Sequence, residues 1–104
     1  MYLRVWTYEV PPDGVDRFVR AYGPDGDWAR LFARADGYAG TELFRSEGSG
    51  TRFLTVDRWR DEASWAAFLG RWSADYRALD VALGPLTTAQ RCLVAGPEET
   101  PPRS

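Results

Sequence analysis

The chain has 104 residues, a net charge of −2 and no His. This length fits one domain with a real core. The slight negative charge argues against a broad nucleic-acid-binding surface. Because His is the commonest metal and haem ligand, its absence predicts that the chain holds neither a metal ion nor haem, and it also removes the side chain that titrates near neutrality. A proton acceptor in this chain would have to be a carboxylate, a Tyr or the substrate itself.

The cysteine content and the N-terminus predict a cytoplasmic location. Cys92 is the single cysteine and cannot form an internal disulfide, which fits a reducing compartment. The N-terminal sequence MYLRVWTYEV has no basic region followed by an apolar core, so it does not resemble a signal peptide. No apolar run approaches the ~20 residues that span a bilayer, and we expect no membrane partner.

The first half of the chain is predicted to form a strand followed by two helices. Apolar residues on both parities predict a strand over 2–10. Helical spacing of Val15, Phe18, Val19 and Tyr22 predicts a helix over 15–22. Asp27 is the expected N-cap of a second, short helix over 28–35, and Gly37 is expected to end it.

The second half is predicted to form a hairpin, a long helix and a last strand. The loop Glu47–Gly50 separates the two strands of the hairpin. Asp61 is the expected cap of the helix, and Gly84-Pro85 is expected to end it. The predicted strands cover residues 38–46, 51–60 and 88–95.

The long helix has an unusually aromatic stripe and one irregular position. Its apolar side chains recur at intervals of three and four residues, which is typical of a buried helix face. Gly70 lies in the middle, where Gly costs about 0.5 to 1 kcal/mol relative to Ala. Either the helix bends there or a neighbour packs closely against its backbone. The stripe consists of Trp65, Phe68, Leu69, Trp72, Tyr76, Leu79 and Leu83.

The element order βαββαβ predicts an α+β, ferredoxin-like fold, with a four-stranded antiparallel sheet and the helices on one face. The domain is expected to cover residues 1–96 and to be followed by a disordered polar tail, 97–104. The first and third strands are apolar on both faces, although the helices cover only one. An exposed face carrying either Trp6 and Tyr8 or Phe53 and Trp59 would be costly, so we expect a homodimer with its sheets face to face.

Three segments resemble the antibiotic biosynthesis monooxygenase-like proteins of the dimeric α/β-barrel superfamily. They are PPDG before the first helix, the Ala35–Leu43 segment ADGYAGTEL, and the Phe53–Ala63 segment FLTVDRWRDEA at the strand-to-helix junction. The resemblance covers roughly residues 2–96. It implies a dimeric α/β barrel and, for the activity, a cofactor-free oxygenase acting on an aromatic polyketide. The haem-degrading branch uses a His and an Asn, and this chain contains neither.

The function is therefore left between alternatives. The first is a cofactor-independent monooxygenase acting on an aromatic, polyketide-type small molecule in a pocket between helices and sheet. The second is a non-catalytic dimeric barrel that binds a small hydrophobic ligand or has a structural role. A cyclase on the same fold is a third possibility, and it also requires proton transfer.

Candidate site residues lie on the third strand and on the helices. Asp57 is expected in a buried strand, where desolvation would raise its pKa toward that of a useful base. The alternative for Asp57 is an ion pair with an Arg, and for the aromatic residues it is core packing. The candidate catalytic residues are Asp57, Trp65 and Tyr76. The candidate substrate-binding residues are Trp72, Phe68, Arg58 and Trp28.

Overall fold

The computed structural model describes residues 1–99 and has the α+β, ferredoxin-like architecture that the sequence predicts. Its four strands are β1 (Tyr2–Glu9), β2 (Tyr38–Arg45), β3 (Arg52–Trp59) and β4 (Ala89–Pro97). They form one antiparallel sheet in the order β2-β3-β1-β4. The strands β1 and β3 are therefore central, and β2 and β4 are the edges.

Three helices, α1 (Val15–Tyr22), α2 (Asp27–Phe32) and α3 (Glu62–Leu83), pack on the sheet. The predicted cap of α3 is confirmed, because the Asp61 carboxylate accepts a hydrogen bond from the Ser64 backbone N–H at 2.8 Å. The prediction for α2 was wrong at both ends. Its cap position is Gly26, Asp27 lies in the first turn without a capping bond, and the helix ends three residues early.

Helix α3 is kinked at Trp72, where φ is −120° and ψ is 24°. The kink lies two residues after Gly70. A Cβ atom added to Gly70 would meet no other atom within 4 Å, so close packing against its backbone is excluded. Of the two alternatives for this glycine, the bend is the one that the structure contains, although the distorted residue is Trp72 itself.

The two faces of the sheet differ in composition. The face under the helices carries the aromatic side chains, and Tyr8, Phe53 and Trp59 are buried there. The opposite face is mainly aliphatic, with Phe44 as its one large aromatic side chain among the described residues, and it has no covering element within residues 1–99. The residues exposed or half-buried on this open face include Leu3, Val5, Phe44, Leu54, Val56 and Val94. The expected exposed apolar face therefore exists, but it carries neither of the two aromatic pairs named from the sequence.

The C-terminal strand reaches further than the sequence suggested. β4 continues to Pro97, and the Glu98 backbone N–H donates to the Met1 carbonyl oxygen at 2.7 Å. Ordered structure therefore extends past the expected boundary at residue 96. The remainder of the predicted tail, residues 100–104, lies outside the described residues. Within residues 1–99, no helix is both long and apolar enough to cross a membrane.

Candidate functional site

A partly open cavity lies between the helices and the aromatic face of the sheet. It contains about 480 Å³ of space free of atoms, part of which opens to solvent. The cavity is narrow: measured with a water-sized sphere, its volume is only about 40 Å³. Its lining residues come from β1, β2, β3, β4 and all three helices, and they are Arg4, Trp6, Tyr8, Tyr22, Trp28, Phe32, Thr41, Thr55, Asp57, Trp65, Tyr76, Asp80 and Gln90.

The floor of the cavity has a polar row that crosses three strands. Asp57 on β3 lies directly opposite Arg4 on β1 and opposite Thr41 on β2. Residues paired in this way project from the same face of a sheet, so all three side chains point toward the helices. Thr55, two residues before Asp57, extends the polar floor and lies 3.3 Å from the Tyr8 hydroxyl oxygen through its Oγ1.

Asp57 is the principal titratable group of the cavity. Desolvation by burial raises the pKa of its carboxyl to about 6. The hydrogen bond from Thr41 and the positive charge of Arg4 lower the pKa, but by less than burial raises it. Thr41 donates to Asp57 Oδ1 at 2.6 Å. Among residues 1–99, no salt bridge holds this carboxylate. Near neutral pH the group is therefore mostly ionised, and its affinity for a proton is higher than usual.

Arg4 supplies a positive charge to the same cavity. Its guanidinium carbon lies 4.1 Å from the centroid of the Trp65 ring, a cation–π contact. The side chain is partly buried, and its Nη1 approaches the Tyr2 hydroxyl at 3.5 Å. Within the part of the chain that the structure describes, Arg4 forms no salt bridge. An unpaired cation and an unpaired carboxylate thus line one cavity from adjacent strands.

Aromatic rings form the wall opposite the polar floor. The ring centroids of Trp28 and Tyr76 are 5.1 Å apart, and those of Trp65 and Tyr76 are 6.1 Å apart. The Trp28 indole N–H is buried beside the Tyr22 hydroxyl, but it makes no hydrogen bond of good geometry with any described residue. A flat aromatic molecule would contact ring faces here.

The structure brings together four of the seven candidate site residues. Asp57, Trp65, Tyr76 and Trp28 line the cavity. Because Trp65 precedes the kink of α3 and Tyr76 follows it, two segments of one helix supply two parts of the wall. Their catalytic and binding roles stay predictions.

Three candidates lie elsewhere. Phe68 is fully buried in the core between Trp59 and Trp65. Trp72 stacks on Phe68 and on Arg71, and it lines a separate groove between α3 and the segment 34–36 that follows α2. Arg58 follows Asp57 in the strand and therefore projects from the open face, where its Nε pairs with Glu42 at 3.0 Å. None of these three side chains reaches the cavity.

Arg4 and Thr41 are site residues that the sequence did not reveal. The signal for Arg4 was present, since it is the one charge among the aromatic, even-numbered residues Tyr2, Trp6 and Tyr8 of β1. A charge within an apolar face indicates a partner or a site. Thr41 carried no comparable signal, because its role depends on the pairing register of β2 with β3.

The donor set does not suggest a metal centre. Within residues 1–99, no group of three or more Cys, Asp or Glu side chains is arranged to hold a metal ion. The acidic side chains that line the cavity are Asp57 and Asp80, and neutral hydroxyl groups and aromatic rings line it as well. What the arrangement offers is one base, one cation and a hydrophobic wall.

Comparison with protein families gives one match, over residues 1–78, to the family described as antibiotic biosynthesis monooxygenase. The matched region covers β1 through most of α3 and therefore includes both Arg4 and Asp57. No curated protein sequence matches the chain.

Solved structures with the same fold cover nearly the whole chain. A candidate antibiotic biosynthesis monooxygenase from Nitrosomonas europaea is 16% identical, covers 94% of this chain and 90% of its own, and has a TM-score of 0.69. A similar candidate from Bordetella bronchiseptica is 21% identical, with coverages of 88% and 90% and a TM-score of 0.66. SnoaB from Streptomyces nogalater, a cofactor-independent oxygenase, is 20% identical, with coverages of 94% and 95% and a TM-score of 0.60. At these identities the likeness concerns the fold.

Proposed function

The chain belongs to the antibiotic biosynthesis monooxygenase family, and on that premise we propose that it is a cofactor-independent oxygenase of an aromatic, polyketide-type small molecule. One observation carries the proposal: Asp57, a carboxylate with a raised pKa, lies beside the unpaired cation Arg4 in a cavity walled by aromatic rings. SnoaB, which has the same fold, is a cofactor-independent oxygenase.

The proposed reaction needs a base, protection of an anion and access for O2. Asp57 removes a proton from an acidic C–H between aromatic rings, and the negative charge spreads into the ring system as an enolate. The positive charge of Arg4 stabilises that anion. The enolate reduces O2 and forms a C–O bond to it, giving a peroxide. Loss of water then leaves a new carbonyl group, so that one methylene group and one molecule of O2 become one carbonyl group and one molecule of water.

The pKa of Asp57 suits this step. A base works best when its pKa lies near the working pH, because it is then both ionised and able to hold a proton. With a pKa of about 6, Asp57 is mostly charged at pH 7 yet far more basic than an exposed aspartate. We expect oxygen uptake to rise as pH increases through about 6 and to level off above it.

Substrate access would require side chains to move. The cavity volume of about 40 Å³ is far below the ~300 Å³ or more that is typical of pockets for drug-sized ligands. The segment of α3 beyond the kink carries Tyr76 and Asp80 to the cavity. A small displacement of this segment away from the sheet would widen the cavity without breaking the β1–β3 pairing.

Oxygen uptake with anthrone as a model substrate tests the proposal. We expect Asp57→Asn to lower kcat by at least 100-fold, because general base catalysis typically contributes about 10²–10⁴. Asp57→Ala should behave alike, and Trp65→Phe should raise KM by removing part of the wall and the support of Arg4. Thr7→Val, a substitution on the open face of β1, is the control. Unchanged uptake in Asp57→Asn would refute the role of the base.

The aromatic lining of the cavity also supports a second candidate, a non-catalytic protein that binds a small hydrophobic ligand. In that case anthrone or a similar planar phenol should quench the fluorescence of Trp28 and Trp65 on binding, while oxygen uptake stays at the buffer rate. Asp57→Asn would then leave the dissociation constant nearly unchanged.

The proposed working form is a homodimer whose two open sheet faces pack together. The open face carries apolar side chains from all four strands, and Phe44 and Val94 are each 50% exposed. A second copy of the chain presents the same face, so a two-fold axis would bury both. The cavity lies on the other side of the sheet, and a dimer of this kind leaves its mouth free. A cytoplasmic location remains our expectation from the single, exposed thiol of Cys92.

A further inference from the structure

A chain of two hydroxyl groups connects Asp57 to the outer edge of the sheet. Thr41 Oγ1 donates to Asp57 Oδ1 at 2.6 Å, and the Tyr38 hydroxyl oxygen lies 2.5 Å from Thr41 Oγ1. A threonine hydroxyl has one proton, which Thr41 gives to Asp57. Tyr38 must therefore be the donor to Thr41. Both hydrogen bonds point toward the carboxylate.

The chain leads from the inside of the cavity to its outside. Asp57 and Thr41 line the cavity, and Thr41 is buried, at 7% exposure. Tyr38 is not among the lining residues. It stands at the start of β2, an edge strand, and its side chain is only partly buried. Its ring packs on Phe32 and Trp59, and Tyr38 is the more exposed of the two hydroxyl-bearing residues.

We propose that Tyr38 and Thr41 form a proton relay that joins Asp57 to solvent, a role that rests on the proposed function of Asp57 as the base. The oxygenation breaks two C–H bonds at one carbon, and both protons end in the water that is formed, so the reaction releases no net proton. A carboxylate holds one proton at a time, so Asp57 must lose its proton between the two cleavages, while the peroxide anion formed in between takes up one proton. The relay lets Asp57 give its proton to solvent, and solvent protonates the peroxide. The cavity has room for only a few water molecules, so direct loss to bulk water is hindered.

The relay works by rotation of the two hydroxyls. Protonated Asp57 donates to Thr41 Oγ1, while Thr41 passes its own proton to the Tyr38 oxygen and Tyr38 passes its proton to water. Each hydroxyl receives one proton and gives one, so both stay neutral and the net change is one proton moved from Asp57 to water. Burial raises the pKa of Tyr38, which agrees with a group that stays protonated between transfers.

Two substitutions separate a relay from a purely positioning role. In Thr41→Val both hydrogen bonds are lost, so the pKa of Asp57 should rise and kcat for anthrone should fall at least tenfold. Thr41→Ser should restore both. In Tyr38→Phe, Thr41 still donates to Asp57, so the pKa of Asp57 and KM should stay near their wild-type values while kcat falls at least fivefold. Thr7→Val serves as the matched control for Thr41→Val.

A second readout does not depend on turnover. Carbon-13 NMR of labelled aspartate carboxyls reports Asp57, whose signal is assigned by its loss in Asp57→Asn. Near the titration midpoint the wild-type signal should be a single averaged line, because the relay exchanges the proton rapidly. Tyr38→Phe should broaden or split that line. This measurement applies even if the protein does not oxidise anthrone, so the failure of the relay and the failure of the proposed function are distinguishable.

The relay is overturned if Tyr38→Phe keeps the averaged Asp57 line and, where the wild-type protein is active, keeps its kcat. In that case Thr41 would only orient the carboxylate. A fall in kcat in Thr41→Val alone, with an unchanged Tyr38→Phe variant, leads to the same conclusion.

Discussion

At the scale of single residues, the site depends on the carboxylate of Asp57, whose charge is destabilised by desolvation. Asp57 occupies an inward-facing position of a central strand, flanked on its own strand by the buried Thr55 and Trp59. Its carboxylate has one hydrogen-bond donor, Thr41, and is attracted by the charge of Arg4 on the adjacent strand. A larger apolar side chain at this position would avoid the desolvation cost. The carboxylate is therefore better explained by chemistry than by stability.

The cost of that charge should be visible in the pH dependence of stability. The pKa of Asp57 is about 6 in the folded protein and near 3.8 in the unfolded chain. The folded state therefore binds the proton more tightly, so this group lowers the free energy of unfolding as pH rises from about 4 to 6, by up to about 3 kcal/mol. Above that window the penalty is constant.

Asp57→Asn removes the charge, so the variant should gain stability relative to the wild-type protein as pH rises through that window. Urea unfolding of both proteins at pH 4, 5, 6 and 7.5 measures the difference. Other carboxylates also affect the pH dependence: hydrogen bonds from Ser64 lower the pKa of Asp61, so this group raises the free energy of unfolding as pH rises. Its contribution is the same in both proteins and cancels in the difference. A difference that stays the same from pH 4 to pH 7.5 would show that Asp57 has an ordinary pKa.

At the scale of elements, α3 contributes to the site through two segments that differ in their packing. Its first segment packs Trp65 and Phe68 into the core, where both are buried. Its second segment carries Tyr76 to the cavity and leaves most of its surface exposed, with Val81 78% exposed. The kink at Trp72 separates the two. The helix thus joins a well-packed half to a half that has fewer buried contacts and is freer to move.

Gly70→Ala tests whether the glycine itself is needed for the bend. Gly70 is exposed, has no positive φ, and a Cβ atom there would meet nothing within 4 Å. We therefore expect Ala to raise the free energy of unfolding by about 0.5 to 1 kcal/mol. Thermal or urea unfolding measures this gain.

The matched comparison for Gly70→Ala is Gly37→Ala. Gly37 has a φ of +90°, and a Cβ atom there would collide with the Ser64 side chain, so the same substitution should destabilise the protein. If Gly70→Ala were also destabilising, the bend would depend on the flexibility of the glycine.

At the scale of the whole molecule, the uncovered aliphatic face of the sheet is the main surface that the fold of one chain leaves unexplained. Its residues come from both central strands and from both edges, so it is continuous across the sheet. Contiguous apolar patches of this kind mark interaction sites. Self-association of two identical faces explains it with no additional partner.

Val94→Asp should therefore dissociate the proposed dimer. Val94 lies opposite Val5 on the open face and is 50% exposed in the single chain, so a charge there is tolerated by the fold but not by an apolar interface. Light scattering should give about twice the chain mass of 11.7 kDa for the wild-type protein and a single-chain mass for the variant. The control, Val81→Asp on α3, should stay dimeric. A wild-type protein of single-chain mass would refute the dimer.

Local patterns account for the secondary structure and, with the element order, for the fold. Runs with apolar residues on both parities identified β1 and β3, spacing at three and four residues identified α1 and α3, and Asp61 identified the start of α3. Each of these signals depends only on residues that are close together in the chain. The short helix α2 was bounded less well, because a six-residue helix depends on its tertiary contacts more than on its cap.

The sequence by itself determined a ferredoxin-like α+β domain, one apolar sheet face too many for the helices to cover, and Asp57 as the leading carboxylate. Only the tertiary structure decided which sheet face is open, which aromatic residues of α3 reach the cavity, and that Arg4 and Thr41 flank Asp57. The physical reason is strand register: the partners of Asp57 lie 53 and 16 residues away in the chain. Which side chains become neighbours across a sheet depends on pairing that no local periodicity encodes.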